Sequence, residues 1–272
     1  MLSSKQRKKA LNSIINNGYF IFRSKFKNKY IDTLNNKLIK LKSLKQSSFY
    51  KAQSTDSKII FNLQSKDKIF LDLLDNKDIT SINSTLLNDN NYKNLKKNLP
   101  NYIISQFVAR SSGNTKCEVH MDDKVPSTSK IVNYLQWAIP MVDLNKQNGC
   151  TQILEKSHRK GLEKPSQFTR DFKNLNLKKG DIAVWDGRIW HAALPNKTDK
   201  DRWVIILTFA RWFFKPHYDI ARNFPRNFYK FLNANKKIIL GFASIAKSSE
   251  KISTYQRGDL RSADKFIKKK IF

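Results

Sequence analysis

Between residues 102 and 212 the sequence breaks into short runs rich in β-branched and aromatic residues, at 102–109, 131–142, 151–155, 181–186 and 203–212. Asn148-Gly149 and Gly180-Asp181 are turn markers at the start of two of them. Runs this short suit strands better than helices. Several of them at this spacing predict a β-sandwich or barrel.

The flanking segments read differently. Residues 4–17 place Leu11, Ile14 and Ile15 on one helical face, and Asn17-Gly18 ends that helix. Tyr19-Phe20-Ile21-Phe22 reads as a strand. Residues 28–46 return to helical spacing through Ile31, Leu34, Leu38 and Leu41. Residues 47–100 are polar, with apolar islands at Ile59-Ile60-Phe61 and Phe70-Leu71-Leu73, and read as a variable excursion on the domain. After Pro216 the chain is basic and mixed helical, and residues 226–241 form an amphipathic segment that suits a lid, an oligomer contact or plain packing. The expected organisation is one domain over 1–215 and a C-terminal helical extension over 216–272.

The chain has only four histidines, and their placement points to chemistry. In a strand, residues i and i+2 project to the same side, so His120 and Asp122 of His120-Met121-Asp122 would act together while Met121 turns to the core. Asp123 would point the other way, toward a supporting position or solvent. A distant histidine, His191 in Gly187-Arg188-Ile189-Trp190-His191, could complete a two-histidine, one-carboxylate face. Such a face leaves positions open on the metal and suits non-heme Fe(II) oxygenases. Arg202 follows His191 and opens the apolar run Trp203-Val204-Ile205-Ile206-Leu207. An arginine there needs an anion, and its planar fork grips a carboxylate in bidentate fashion. The candidates are an acidic cosubstrate or the neighbouring Asp199 and Asp201.

Composition sets the outer bounds. The 272 residues carry 52 Lys and Arg against 22 Asp and Glu, a formal charge of +30. The basic residues are scattered, which favours a solvated surface over a nucleic-acid tract; no specific nucleic-acid partner is expected. A basic pocket would suit an anionic small-molecule substrate: phosphorylated, carboxylated or CoA-linked. Two cysteines, Cys117 and Cys150, make no CxxC pair, so a reducing, cytoplasmic setting is the default. The basic start is followed by no unbroken apolar segment, which argues against a signal peptide. The longest apolar stretch, residues 203–214, is interrupted by Arg211 and is too short to span a bilayer, so no transmembrane segment is expected.

Four segments together resemble the phytanoyl-CoA dioxygenase-like family of Fe(II)/2-oxoglutarate-dependent oxygenases. They are Asn16-Asn17-Gly18-Tyr19; His120-Met121-Asp122; Asn148-Gly149-Cys150-Thr151-Gln152 through Ser157-His158-Arg159; and Gly180-Asp181 followed by Asp186 to His191, Pro195-Asn196 and Arg202. The resemblance covers roughly residues 4 to 215. It implies a mainly β fold with flanking α: a double-stranded β-helix (jelly-roll) core, a helical N-terminal part and a basic helical C-terminal tail. It implies iron held by His120, Asp122 and His191 as the catalytic centre, and 2-oxoglutarate chelating that iron with its distal carboxylate on Arg202. Trp137 stands where the family often carries an aromatic near the cosubstrate, core packing being the alternative. With O2, such an enzyme hydroxylates a C–H bond and releases succinate and CO2. Two departures stand out: Glu155-Lys156 replace the Pro-Gly that usually precedes Ser-His, and Ala193 stands where a hydroxyl is common. A catalytically inactive jelly-roll binding module and a nucleic-acid oxidative demethylase are the alternative readings.

Overall fold

The computed structural model describes residues 2–45, 56–91, 98–123, 125, 128–166 and 171–245. The described chain divides into two compact units, residues 2–61 with 107–207 and residues 62–106 with 208–245. No helix among the described residues is long and apolar enough to cross a membrane.

The first unit begins with helix α1, Ser4–Asn17. Its start is fixed by a capping box: the Ser3 hydroxyl accepts from the Gln6 backbone, and the Gln6 side chain accepts from the Ser3 N–H. Gly18 ends it at φ +90°, and a Cβ there would lie 2.8 Å from His158 Nδ1. Strand β1, Tyr19–Phe22, follows, then α2, Asn28–Leu38. Helical spacing in the sequence predicts that this helix runs to residue 46. It stops at Leu38, with Ile31, Leu34 and Leu38 buried, and Leu44–Lys45 instead forms β2 beside β3, Lys58–Phe61.

The remaining strands are β4 Tyr102–Ser111, β5 Tyr134–Pro140, β6 Thr151–Leu154, β7 Phe172–Asn174, β8 Ile182–Asp186, β9 His191–Ala193 and β10 Trp203–Arg211. They form a seven-stranded sheet in the order β1-β8-β5-β10-β4-β3-β2 and a three-stranded sheet in the order β7-β6-β9. The non-sequential order, with antiparallel pairs such as β5–β8 and β6–β9, is that of a jelly roll. An apolar cluster that includes Val108, Ala138, Trp185 and Val204 from the large sheet and Ile153 from the small one joins the two inner faces.

The second unit contains α3, Lys68–Leu74, and α4, Lys77–Leu87, whose apolar faces bury Phe70, Leu71, Ile79 and Ile82. Burial raises the Tyr102 phenol well above its usual pKa, and its ring meets Phe209 edge-on at 5.7 Å. The segment 226–241 is two short helices, α5 Arg226–Tyr229 and α6 Ala234–Ile239, rather than one amphipathic helix. Asn233 breaks it by capping the Lys236 backbone N–H. Lys236 is itself buried and pairs with Asp75 at 3.1 Å. Most of the basic tail, residues 246–272, lies outside the described residues.

The Glu155-Lys156 departure has a local consequence. Lys156 takes the left-handed backbone at φ +64°, the conformation glycine adopts without cost, and its N–H donates to the Asn17 carbonyl at 2.9 Å. An exposed lysine therefore carries the strain of this turn. Lys156→Gly should stabilise the fold by about 0.5–1 kcal/mol, the relief of left-handed strain less the extra entropy of glycine. Urea denaturation checks this; an unchanged or lower midpoint would mean the turn carries no such strain.

Candidate metal centre

His120 and His191 are joined by a reciprocal backbone pair. His120 N–H donates to the His191 carbonyl and His191 N–H to the His120 carbonyl, both at 2.9 Å. Such a pair puts the two side chains directly opposite on one face, and the ring centroids are 4.3 Å apart. His191 is also paired on its other side with Ile153 of β6. Asp122 is not in a continuous strand but on a bend. Its N–H and that of Asp123 both donate to the Gly187 carbonyl at 2.9 Å. This anchor brings Asp122 Oδ2 to 3.5 Å from His191 Nε2. One ligand atom from each of His120, Asp122 and His191 lies within 4.8 Å of the others.

The donor set fits a divalent cation. His191 Nδ1 lies 3.0 Å from the Ile189 carbonyl, and His120 Nδ1 lies 2.8 Å from that of Glu118. A carbonyl can only accept, so each Nδ1 carries the hydrogen and each Nε2 keeps its lone pair for a metal. Asp122 Oδ2 is buried without a hydrogen-bond partner among the described residues, a costly arrangement that a cation would relieve. Without one, the two rings divide the proton unequally. Burial pushes the His191 pKa down to about 4, helped by the charge of His120. Burial also opposes charge on His120, but a hydrogen bond with the Cys117 side chain and the nearby Asp122 outweigh it and raise the pKa to about 9.

A buried ion pair holds the turn before His191. Arg188 Nε and a terminal nitrogen grip Asp186 at 2.9 and 2.7 Å, and its other terminal nitrogen donates to the Ser129 carbonyl at 2.8 Å. Between them, Gly187 has no room for a side chain: a Cβ would lie 2.6 Å from Tyr134 Cβ and 3.1 Å from Asp123 Cβ. The Ser157 hydroxyl accepts from Trp190 N–H at 2.8 Å, and the Gly18 carbonyl from Asp186 N–H at 2.8 Å. The segments from Asn17-Gly18, Ser157-His158 and Asp186 to His191 thus meet around one turn. His158 is no ligand here; its Nε2 lies 3.0 Å from the Ile15 carbonyl. Asp123 is buried rather than solvated, and burial raises its pKa.

A cavity of about 80 Å³ opens beside the two histidines and is also lined by Arg202, Arg110, Gln136 and Trp185. Arg202 is buried, and burial lowers its pKa to about 10. Its Nε donates to the Asn148 carbonyl at 3.1 Å, and a terminal nitrogen contacts the Gly149 carbonyl and Ser112 Oγ. These acceptors are neutral. Asp201 does not satisfy it but pairs with Lys58 at 2.8 Å. Trp137 is away from the cavity: it is fully buried, lies on the opposite face of β5 from Gln136, and stacks on Phe22 at 5.8 Å. The expectation that it stands near a cosubstrate is therefore corrected by strand parity. Gln136 and Arg110 carry no motif that singles them out, although the alternation of β5 and β4 could have flagged both.

The sequence model of the phytanoyl-CoA dioxygenase (PhyH) family matches residues 15–204, well over half of the chain. The chain belongs to the phytanoyl-CoA dioxygenase family. The matched span contains all three candidate ligands and Arg202. Sequence relatives include an uncharacterised protein of Mycobacterium tuberculosis, 34% identical over 79 residues, and an uncharacterised protein of Saccharomyces cerevisiae, 29% identical over 85 residues. These alignments cover 28% and 29% of this chain, and only 29% and 23% of the relatives. Two solved structures share the family's fold. The non-heme alpha-ketoglutarate-dependent epimerase SnoN from nogalamycin biosynthesis superposes with a TM-score of 0.60 at 16% identity, over 77% of this chain and 84% of its own. HygX from Streptomyces hygroscopicus, solved with nickel and 2-oxoglutarate bound, gives 0.60 at 10% identity, over 79% and 89%.

The Asp186–Arg188 pair gives a stability prediction for this family member. Arg188→Met should destabilise it by about 3–5 kcal/mol, because Asp186 would remain buried without its counter-charge. A loss under about 1 kcal/mol in chemical denaturation would show that the pair does not hold the turn.

Proposed function

We propose that the protein is a non-heme Fe(II)/2-oxoglutarate-dependent dioxygenase that hydroxylates a C–H bond of a small molecule, with release of succinate and CO2. The observation that carries this reading is the convergence of His120, Asp122 and His191 beside a buried arginine that has no carboxylate partner among the described residues. His120, Asp122 and His191 would hold Fe(II), and Arg202 would take the distal carboxylate of 2-oxoglutarate. The likeness to SnoN, also solved with Fe3+ and alpha-ketoglutarate, and to HygX supports the cofactor assignment. When bound, iron with 2-oxoglutarate and O2 supplies the oxidising power for an unactivated C–H bond.

The chain's own residues supply placement. The paired backbone of His120 and His191 fixes two donors without depending on side-chain order. The Nδ1 contacts hold both rings in one tautomer. Asp122 would supply the carboxylate that related halogenases lack, which favours hydroxylation in this reading. Val204, Ile206 and Trp185 give the cavity an apolar wall that limits water. Residues 1–215 form the catalytic domain in this reading, and 216–272 an extension to it. An intact donor set and an unneutralised Arg202 favour a working site over an inactive binding module.

Anaerobic titration with Fe(II) and 2-oxoglutarate tests the reading. A metal-to-ligand charge-transfer band should need both and should vanish in His191→Ala. No band and no iron binding in the native protein would overturn it. Arg202→Ala should raise the 2-oxoglutarate concentration for half-saturation by roughly tenfold or more, the loss of a charged hydrogen-bonding partner. An unchanged requirement would remove Arg202 from the cosubstrate site.

A further inference from the structure

A second arginine lies on the inner face of the sheet. Arg110 is on β4 two residues after Val108, a member of the inter-sheet core, and its register partner on β3 is the core residue Ile59. Strand alternation therefore turns Arg110 inward, where an aliphatic side chain would pack without cost. Its Nε is buried and has no hydrogen-bond partner among the described residues. The rest of the residue is only half-buried, in contrast to the fully buried Arg202. Both line the cavity that holds His120 and His191, and the lining around them is polar, with Ser57, Ser112, Thr115 and Gln136.

Counting charges separates the roles of the two arginines. This step rests on the dioxygenase reading. Once the 2-oxo-acid end of 2-oxoglutarate is on the metal, the cosubstrate has one free carboxylate. Arg202, the deeper and more fully desolvated cation, is its partner. Arg110 then remains as a partly desolvated guanidinium that a neutral substrate would leave unsatisfied.

We propose that Arg110 is a substrate-binding residue that anchors an oxyanion of the substrate, a carboxylate or a phosphate, beside the metal centre. The substrate is then a small anionic molecule. Its anion is held on β4, and the carbon presented for oxidation lies within a short chain length of that anion. A neutral analogue of the same shape would lose both the charge-assisted hydrogen bonds and its orientation.

The test uses protein saturated with Fe(II) and 2-oxoglutarate under anaerobic conditions, so that Arg202 is occupied. Butanoate, butyl phosphate and the neutral butanamide are titrated by calorimetry against native protein, Arg110→Met and Arg110→Lys. Native protein should bind at least one of the two anions about tenfold or more tighter than butanamide. The anion preferred identifies carboxylate or phosphate as the ligand chemistry. Arg110→Met should lose the preference, and Arg110→Lys should recover part of it, while the 2-oxoglutarate affinity stays within about twofold in both. Equal binding of anions and amide by native protein, or a preference that survives in Arg110→Met, would overturn the proposal. So would a tenfold loss of 2-oxoglutarate affinity in Arg110→Met, which would assign Arg110 to the cosubstrate. If native protein shows no charge-transfer band yet its anion preference depends on Arg110, the dioxygenase reading falls and the anion site stands.

Discussion

The reciprocal backbone pair between His120 and His191 is the constraint on which the candidate site depends. Two residues 71 positions apart in sequence are brought opposite each other by two 2.9 Å hydrogen bonds, not by side-chain contacts. Those bonds form only if β9 is held in register with β6 on its other side, through Ile153 opposite His191. The geometry of the donors is therefore a property of the small sheet. Asp122 comes from a different device, the Gly187 carbonyl that receives two successive N–H groups. An isolated bridge to the edge strand of the small sheet supplies two ligands, and a turn with no room for a side chain supplies the third.

That turn is stabilised by charge in a place where charge is costly. Asp186 and Arg188 are almost fully buried, and each satisfies the other through two parallel hydrogen bonds. Replacing such a pair by apolar residues costs a fold little, while removing one partner costs it much. Its role here is geometric. Arg188 also binds the Ser129 carbonyl, and the Arg188 N–H donates to Asp186, so the backbone between them has little freedom. Arg202 is the opposite case, a buried cation whose hydrogen-bond acceptors among the described residues are carbonyl and hydroxyl oxygens. One arginine holds the scaffold, and the other is left in want of an anion.

Much of this is legible in the sequence, because it rests on local signals. The five β-rich runs correspond to β4, β5, β6, β8 and β10, with ends displaced by a few residues. The helix over 4–17 has the expected ends because Ser3 caps its start and Gly18 ends it. His120, Asp122, His191 and Arg202 are identifiable from residue type and order, and the structure gathers them around one cavity region. What escapes depends on parity or on tertiary competition. Trp137 differs from Gln136 by one position, and that single step decides between the Phe22 side and the cavity. Asp122 has the spacing of a strand residue, whereas its partner is a turn carbonyl that no pattern announces. The helix expected to reach 46 gives way to a pairing with β3 that is set by distant residues.

The net charge of +30 looks like the dominant electrostatic fact, yet it says little about the site. Most surface lysines are solvated, and their fields are screened within about 10 Å at ordinary ionic strength. Several are also neutralised locally, as Lys178 is by Asp143 and Lys179 by Asp32. The cations that matter are the few removed from water. Arg202 and the Nε of Arg110 have lost hydration without gaining a carboxylate among the described residues, so a small anion entering the cavity would meet groups already stripped of solvent. Selectivity for an anion is therefore expected to come from these two side chains and to resist added salt, whereas any attraction due to the surface would fade with it.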